Sequence, residues 1–522
     1  MELFLNILVF IVVLGAIVVI HELGHFFTAK KFNILCHEFA IGMGPTLVKK
    51  KKGETVYALR AIPIGGFVSM AGEDLNEAMI KKDQFVGLNL NDDGDIKEIV
   101  IDKAKEAAID GRVVSYELYG ADMAQLFIEL DINGEIKKFN CLRNAMYAYG
   151  KKIIQVTPAE RSFEHQKKWK RFIVLFAGAG MNFVLAFLLF LLAAGIVGKP
   201  QTDTATIGTL AKEMPASSII KEGDVITEIG GLLVEKWEDV GTHFYKFAGA
   251  RNIEIKFTRD GVLHTEHISP RIDLNSIGIS NFGEDKVVRT GTTIGSVFAK
   301  ADQEKKLAVE DKIKSFIYDE DGIKKELYVN DWKEITDFIK EYNQSSVSIK
   351  IERGGEELIQ ENCTVWLDET LKSQNVPKIQ SVIGVSPIHK FDFFYMFQSA
   401  GIQFADNSLV IFRTLGMLFS NSQIGVSDLS GPVGIFNITG QVMEGGFLAV
   451  IAFMGLLSVN VGIMNLLPIP AFDGGRILFL GIEAVRRKPM NKRVENTINN
   501  VMFIVLMLFL VFITVMDVFR LF

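Results

Sequence analysis

Residues 21–25 form a His-Glu-x-x-His motif, whose residue types and spacing suit zinc-dependent hydrolysis. On a helix, His21 and His25 lie one turn apart on the same face, so both imidazoles can reach one Zn²⁺. Glu22 then lies beside the open coordination position of the metal, where it can act as a general base. The motif therefore predicts a metalloprotease, in which water attacks a peptide bond.

The motif ends an uncharged run that begins at Leu3 and is long enough to form a membrane-spanning helix. Two histidines and a glutamate are costly in such a segment unless they do chemistry, which disfavours the alternative of a chance match on a solvated helix face. No small-residue cleavage site follows the run, so we expect a retained helix rather than a signal peptide. The catalytic water would then lie inside or at the edge of the bilayer.

The chain has 522 residues, of which 49% are hydrophobic, and this balance predicts a mixed architecture of membrane and soluble parts. Three further uncharged runs can cross a bilayer, at residues 172–198, 445–472 and 496–516. We therefore predict an α-helical membrane core with four transmembrane helices.

Basic residues flank one end of each predicted span, and they predict which ends are cytoplasmic. They cluster at 30–31, 49–52, 167–171 and 486–493. Both termini and region 199–444 would then lie outside, in a multi-pass protein of the bacterial cytoplasmic (inner) membrane. The net charge of −6, without a basic tract beyond these flanks, excludes nucleic acid as an expected partner. Three scattered cysteines give neither a disulfide framework nor a cysteine zinc cluster.

After the motif, the turn signal Pro63-Ile64-Gly65-Gly66 separates two short strand-like stretches, 55–60 and 67–70. This pattern predicts a β-hairpin. Its apolar residues suit a membrane-associated position beside the metal, where the edge around Val68 could hydrogen-bond an extended substrate. An ordinary surface hairpin is the alternative.

The rest of the first half contains a polar insert and the second span. Residues 76–163 alternate strand-like pieces with turn signals such as Asn133-Gly134, which predicts a β-rich cytoplasmic insert. The second span carries Gly178, which permits close helix packing, and Asn182, a polar residue that needs a partner in hydrocarbon. We include Asn182 among the candidate substrate-binding residues.

The external region has the pattern of two inserted β-rich PDZ domains, at 200–285 and 286–372. The second repeat is weaker, because Glu310 stands where the first repeat has Gly223; a generic β-rich sensor domain is the alternative. Residues 391–418 are apolar but interrupted by charges, which favours an amphipathic helix on the outer membrane surface.

The third span ends in a sequence that can complete the metal site. Pro468 and Pro470 cannot continue a helix, and irregular backbone at membrane depth is tolerated only beside a cavity or protein. Asp473 follows, and a catalytic zinc needs a third protein ligand. The first span reaches His21 after about 18 residues, or roughly 27 Å, and the third span reaches Asp473 after a similar distance. The carboxylate and the histidines are therefore expected at the same depth.

With its His-Glu-x-x-His motif, its Asn465-x-x-Pro-x-Pro-x-x-Asp473-Gly474 motif and its predicted PDZ pair, the chain resembles the site-2 protease family of intramembrane zinc metalloproteases (peptidase M50). It is most similar to the bacterial PDZ-containing branch that cleaves anti-sigma factors in regulated intramembrane proteolysis. The resemblance covers the four spans, the hairpin and the external region, and leaves residues 76–163 without a counterpart.

The resemblance implies a role for each matching residue. The metal ligands would be His21, His25 and Asp473, and the base would be Glu22. The substrate-binding residues would include Asn465, together with Gly65 and Gly66 of the hairpin. Two departures from the family pattern are Phe472, where leucine is usual, and Ala179, where proline is usual.

The predicted segments are 1–75 with the first span and hairpin, 76–163, 164–199 with the second span, 200–285, 286–372, 373–444 with the surface helix, and 445–522 with the last two spans. The predicted activity is cleavage of transmembrane segments in pre-trimmed single-span membrane proteins, such as anti-sigma factors or signal-peptide remnants. Two alternatives are a catalytically inactive scaffold or chaperone that binds transmembrane segments, disfavoured by the complete ligand set, and a transporter, disfavoured because the spans show no repeat.

Overall fold

The computed structural model describes residues 2–73, 79–101, 107–150, 152–211, 214–274, 279–281, 287–289, 307, 311–320, 322–342, 346–364, 379–419 and 431–521. The predicted second PDZ domain lies partly outside these residues, and so does Glu310. Within them the helices are α1 (Glu2–Lys31), α2 (Lys168–Val197), α3 (Trp237–Lys246), α4 (Trp332–Glu341), α5 (Phe393–Phe419), α6 (Pro432–Glu444), α7 (Phe447–Leu466), α8 (Asp473–Arg486) and α9 (Lys492–Leu521).

Four helices in the described part of the chain are long and apolar enough to cross a membrane: α1, α2, α7 and α9. They match the four predicted runs, because length and apolar composition are local properties of the sequence. The third helix is shorter than its run, since α7 ends at Leu466, just before the two prolines.

The chain divides into two compact units, Gly195–Met396 and the remainder. In the helical unit, α1, α6 and α7 share an apolar cluster that includes Val13, Val442 and Phe453. A second cluster joins α2, α5 and α7. In this cluster Ala400 of α5 is fully buried, and the Phe404 ring lies 5.9 Å from that of Phe183. Helix α5 thus matches the predicted 391–418 helix in extent, and its place on the membrane surface stays a prediction.

Two long strands, β1 (Cys36–Lys52) and β2 (Thr55–Met70), follow α1 and correct the predicted hairpin. Residues 38–41 of β1 pair with 56–59 and also with 66–69. The two predicted strands therefore flank β1 instead of pairing with each other across a turn at 63–66. Burial explains the difference, because Cys36 and Ala40 of β1 are fully buried, and this favours a position of β1 between the two segments of β2.

The region predicted as a β-rich insert forms a six-stranded sheet with its own core. Its order is β4-β3-β5-β6-β7-β8, and a further pairing between β4 and β7 closes most of the sheet on itself. Leu88, Ile96 and Ile128 are fully buried inside it. The strands are β3 (Phe85–Leu90), β4 (Ile96–Val100), β5 (Ile109–Glu117), β6 (Phe127–Ile132), β7 (Glu135–Tyr149) and β8 (Lys152–Gln155).

Among the described strands of the second unit, two of the three four-stranded sheets have an equivalent order, β12-β11-β13-β14 beside α3 and β19-β18-β20-β21 beside α4. In each repeat, a bidentate ion pair joins the start of one strand to the end of its neighbour. Asp224, just before β11, pairs with Arg259 at the end of β13, and Asp311, just before β18, pairs with Arg353 at the end of β20. This repeat agrees with two related domains, whose identity as PDZ domains stays a prediction. The strands are β11 (Val225–Ile229), β12 (Leu232–Leu233), β13 (Ile253–Arg259), β14 (Val262–Ile268), β18 (Lys312–Glu320), β19 (Ile323–Tyr328), β20 (Ser346–Arg353) and β21 (Glu356–Thr364).

Shorter strands complete the second unit. They are β9 (Lys199–Pro200), β10 (Ile207–Leu210), β15 (Arg271–Leu274), β16 (Ile279–Asn281), β17 (Val287–Arg289), β22 (Gln380–Val382), β23 (Val385–Pro387) and β24 (His389–Lys390). Pairings β9 with β24 and β10 with β23 bring together the two ends of the unit.

Candidate metal centre

The two histidines of the motif lie on the buried face of α1. Their side chains point the same way, and His21 and His25 are only 8% and 6% exposed. Their Nε2 atoms lie 3.2 Å apart. This proximity follows from the helical period, since residues four apart in sequence are neighbours on one face.

Asp473 approaches the same point from the far end of the chain. The backbone leaves the helical conformation after Leu466 and resumes it at Asp473, which is the first residue of α8. The Asp473 Oδ2 atom lies 3.2 Å from the Nε2 atom of each histidine. The sequence predicted Asp473 as a ligand just past the end of the third span, and helix α8 was not predicted.

The donor atoms fit a zinc ion. Two imidazole nitrogens and a carboxylate oxygen are a usual catalytic zinc set, and ligands at 2.0–2.1 Å in a tetrahedron lie roughly 3.3 Å apart, close to the separations of 3.2 Å in this cluster. Asp473 Oδ2 is buried and lacks a hydrogen-bond partner among the described residues. Burying a carboxylate oxygen without a hydrogen-bond donor costs free energy, and a bound cation would compensate for this cost. Within the described part of the chain, this is the metal-capable cluster.

Helix α2 supplies the surroundings of both imidazoles. The Nδ1 atom of His25 lies 2.8 Å from the carbonyl oxygen of Val174, and that of His21 lies 3.2 Å from the side-chain amide of Asn182. Gly178 lies between them, and a Cβ there would stand 2.3 Å from His25 Nε2. The structure therefore places Asn182 against a histidine in the fully buried interior, and its assignment to substrate binding stays a prediction.

The other candidate residues lie around Glu22 or apart from the cluster. A Cβ on Gly66 would meet the Glu22 side chain at 3.1 Å, so β2 approaches the base closely. Gly65 adopts a φ of +82°, which favours glycine. Val68 is buried in an apolar cluster, which leaves only its backbone for a substrate. Asn465 donates a hydrogen bond to the carbonyl of Val461, within its own helix.

The residues that hold α8 in place were not predicted from the sequence. The partly buried Glu483 carboxylate pairs with Arg171 of α2 at 3.1 Å, and the Glu483 backbone carbonyl accepts a hydrogen bond from Lys168 at 2.8 Å. One turn after Asp473, Arg476 pairs with Glu73, just beyond β2. The charged residues near the ends of α2 and α8 were visible in the sequence, but their basic members were interpreted only as topology signals.

The loop before Asp473 has a brace of its own. Ala471 adopts a φ of +80°, an uncommon conformation for a residue with a side chain. Its backbone N–H donates to Asn499 of α9 at 3.2 Å. A long-range hydrogen bond therefore supports the strained backbone that precedes the ligand.

A core with four candidate membrane spans, a buried His-His-Asp cluster and an adjacent glutamate defines the class of membrane metallopeptidases. Residues 9–509 match the family model described as Peptidase family M50, and the chain belongs to this family. It is therefore a zinc metalloprotease of the site-2 protease type, as the resemblance predicted, and its four apolar helices agree with a membrane protein.

Similar proteins match nearly end to end. The zinc metalloprotease RasP of Geobacillus kaustophilus is 30% identical and covers 98% of this chain and 97% of its own length. RasP of Shouchella clausii and RasP of Oceanobacillus iheyensis are each 29% identical over 99% of both chains. The full-length match includes the region predicted as an insert, so this region has a counterpart in these relatives.

Proposed function

We propose that this zinc metalloprotease cleaves peptide bonds within transmembrane segments of single-span membrane proteins. The observation that carries the proposal is the position of the cluster: His21 and His25 belong to a candidate membrane span and are packed against a second one, α2. A buried hydrolytic site among such helices suits a substrate that also lies in the membrane.

The roles of the residues follow from their positions. His21, His25 and Asp473 would hold Zn²⁺, which supplies Lewis-acid chemistry that makes water more acidic and polarises a carbonyl. Glu22 follows His21 directly and interacts electrostatically with both histidines and with Asp473. Its carboxylate would take the proton of the attacking water and then deliver it to the leaving amine.

The strand β2 offers a place for an unwound substrate. Its 66–70 segment pairs with β1 on one side, and in the described structure no strand pairs with its other side. A transmembrane helix shields its own peptide bonds, so a cleaved segment must unwind and find new hydrogen-bond partners. An added strand at this edge would supply them beside Glu22, while Asn465 lies farther along α7 as a second candidate contact.

The inferred class of substrate is more specific than the geometry of the metal cluster alone indicates. We infer pre-trimmed single-span proteins, of the anti-sigma factor or signal-peptide-remnant type, in the cytoplasmic membrane of a bacterium. The two repeats of the second unit, as PDZ domains on the outer side with both termini, would then exclude untrimmed proteins or bind their new C-termini.

The decisive experiment compares purified wild-type protein with Glu22→Gln on a membrane-embedded model substrate. We expect the wild type to cut within the transmembrane segment and the variant to be inactive while retaining zinc. Binding of the substrate by both proteins with cleavage by neither would instead support the inactive scaffold.

A deletion of residues 204–367 separates exclusion from docking. If the second unit excludes bulky substrates, the deletion leaves cleavage of a short substrate intact and permits cleavage of one with a large external domain. If the unit docks C-termini, the deletion slows cleavage of the trimmed substrate. Equal rates with and without the unit for both substrates would contradict both roles.

A further inference from the structure

The ring of His25 has a defined protonation pattern because of its partner. Its Nδ1 atom lies 2.8 Å from the backbone carbonyl oxygen of Val174, which can only accept a hydrogen bond. Nδ1 therefore carries the proton, and Nε2 of the neutral ring presents a lone pair toward Asp473. A backbone group on α2 thus selects the tautomer that can bind a metal.

The ring of His21 faces a side chain whose two ends are chemically different. Asn182 is 0% exposed, and its Nδ2 atom lies 3.2 Å from His21 Nδ1. In this orientation its Oδ1 atom is buried and has no hydrogen-bond partner among the described residues. A half-turn of the amide about the Cβ–Cγ bond exchanges the two atoms, which differ little in size. The oxygen would then face Nδ1 and gain the partner that it lacks.

We propose that Asn182 is a positioning residue whose Oδ1 atom accepts the Nδ1–H of His21, so that the Nε2 lone pair of His21 faces the metal. The inference rests on the proposed zinc site. It makes the two histidines equivalent, each donating Nδ1–H to an oxygen of α2 and presenting Nε2 to the cluster. A neutral imidazole can bind a metal in only one of its two tautomers at a given nitrogen.

The packing of α2 supports this role. Val174, Gly178 and Asn182 are spaced four residues apart, so they form one buried stripe along the helix. The glycine lets the stripe approach the histidines, since any Cβ there would collide with both rings. The Ser458 hydroxyl of α7 donates a hydrogen bond to the backbone carbonyl of Asn182 at 2.8 Å, which fixes the backbone from which the side-chain amide projects.

Zinc affinity tests the proposal without a cleavage assay. Variants are made in the Glu22→Gln background, and their zinc is titrated against a chelator of known affinity. Asn182→Ala should bind zinc roughly 10- to 100-fold more weakly, the usual cost of losing such a partner. Asn182→Asp can accept but cannot donate, so it should bind at least as tightly as the parent protein. Wild-type affinity in Asn182→Ala would overturn the proposal.

The aspartate variant also tests the orientation of the amide. If Asn182→Asp is as weak as Asn182→Ala, then the amide nitrogen donates to a bare Nδ1 and the proposal is wrong. Asn460→Ala is the matched control, because it removes an asparagine of α7 that makes no hydrogen bond to His21 or His25 in the described structure. It should leave zinc affinity unchanged.

A measurement on the parent protein covers the case in which the aspartate variant does not fold. Solid-state ¹⁵N NMR of histidine-labelled protein in lipid shows which ring nitrogen carries hydrogen, and His21→Ala identifies the signal. Protonated Nδ1 on both His21 and His25 supports the proposal, and bare Nδ1 on His21 contradicts it. Failure of proteolysis with these zinc results intact would reject the proposed function alone.

Discussion

The two halves of the metal cluster reach the same point by different physical routes. The histidine half is local, since one helical turn of α1 sets the spacing of His21 and His25. The aspartate half is not local, since Asp473 starts a helix after an irregular segment and is positioned by contacts with α2, α9 and the end of β2. The difference teaches that the first half depends on close packing, whereas the second depends on ion pairs and hydrogen bonds between distant segments.

Removal of a ligand should have the largest effect and should not distinguish the halves. His25→Ala and Asp473→Ala should each lose zinc and cleavage, because two remaining ligands hold zinc poorly. Glu22→Gln should keep about one zinc per chain and lose roughly 10²- to 10⁴-fold in cleavage rate. Metal analysis of the purified proteins and cleavage of a model substrate check both statements. Substantial zinc in Asp473→Ala would remove this residue from the ligand set.

A methyl group added against the two histidines should have the next largest effect. The methyl group of Gly178→Ala would lie 2.3 Å from His25 Nε2 and displace the rings. Overpacking of this kind costs about 1–3 kcal/mol, or roughly 5- to 150-fold in zinc affinity. Gly15→Ala on α1 is the control, because its added methyl meets nothing within 4 Å. Equal zinc affinity in the two variants would show that the histidines do not depend on this packing.

Loss of the ion pair between Arg171 and Glu483, which helps to position Asp473, should have a smaller effect on zinc affinity. The Arg171 and Glu483 side chains are only 11% and 13% exposed, so Glu483→Gln leaves the Arg171 cation largely shielded from water and without its negative partner. We expect a cost of about 1–3 kcal/mol, below the roughly 3–5 kcal/mol of a fully buried pair. The unfolding temperature should fall, and zinc affinity should drop less than in Gly178→Ala. Glu135→Gln, in an exposed pair with Lys137, is the control and should change neither quantity.

A proline scan along the free edge of β2 should affect turnover but not zinc. Successive backbone N–H groups point to opposite sides of a strand, so proline at Phe67, Val68 and Ser69 removes donors toward β1 and toward the edge in turn. Proline that removes an edge donor should slow cleavage and leave zinc content unchanged. If no position slowed cleavage without also lowering the unfolding temperature, the proposed substrate edge would be wrong.

The smallest expected effect concerns the base of the β1–β2 sheet. The Glu54 carboxylate accepts hydrogen bonds from Arg161 at 2.7 and 2.8 Å, and the Arg161 and Lys30 side chains lower its pKa to about 2. Since this pKa lies below the unfolded value of 4.5, the pair stabilises the fold fully above pH 4.5 and loses its contribution as pH falls toward 2.

Glu54→Gln should therefore reduce the acid sensitivity of the protein. Its carboxylate is about a quarter exposed, so we expect roughly 1 kcal/mol at neutral pH. Unfolding temperatures of wild type and variant, measured from pH 7 to pH 3, should converge as the pH falls. A constant difference between them would mean that this pair does not titrate in the acid range.

The features that depend on local rules were predictable from the sequence. The His21 and His25 spacing follows from the period of one helix, and the four spans follow from apolar length. Asp473 was also found, because an acidic residue after two prolines at the end of a span suggested a cation. The family assignment that these motifs indicated is confirmed by the match over residues 9–509.

Tertiary structure decided what depends on contacts between distant segments. Val174 lies 149 residues from His25, and Asn182 lies 161 residues from His21. No local pattern encodes such pairs, so the contact between Asn182 and His21 was not predicted from the sequence. The predicted hairpin failed for the same reason, since the free energy of burying β1 between 56–59 and 66–69 outweighed the turn signal at 63–66. Local sequence thus set the ligands and their spacing, and long-range packing decided how each one is held.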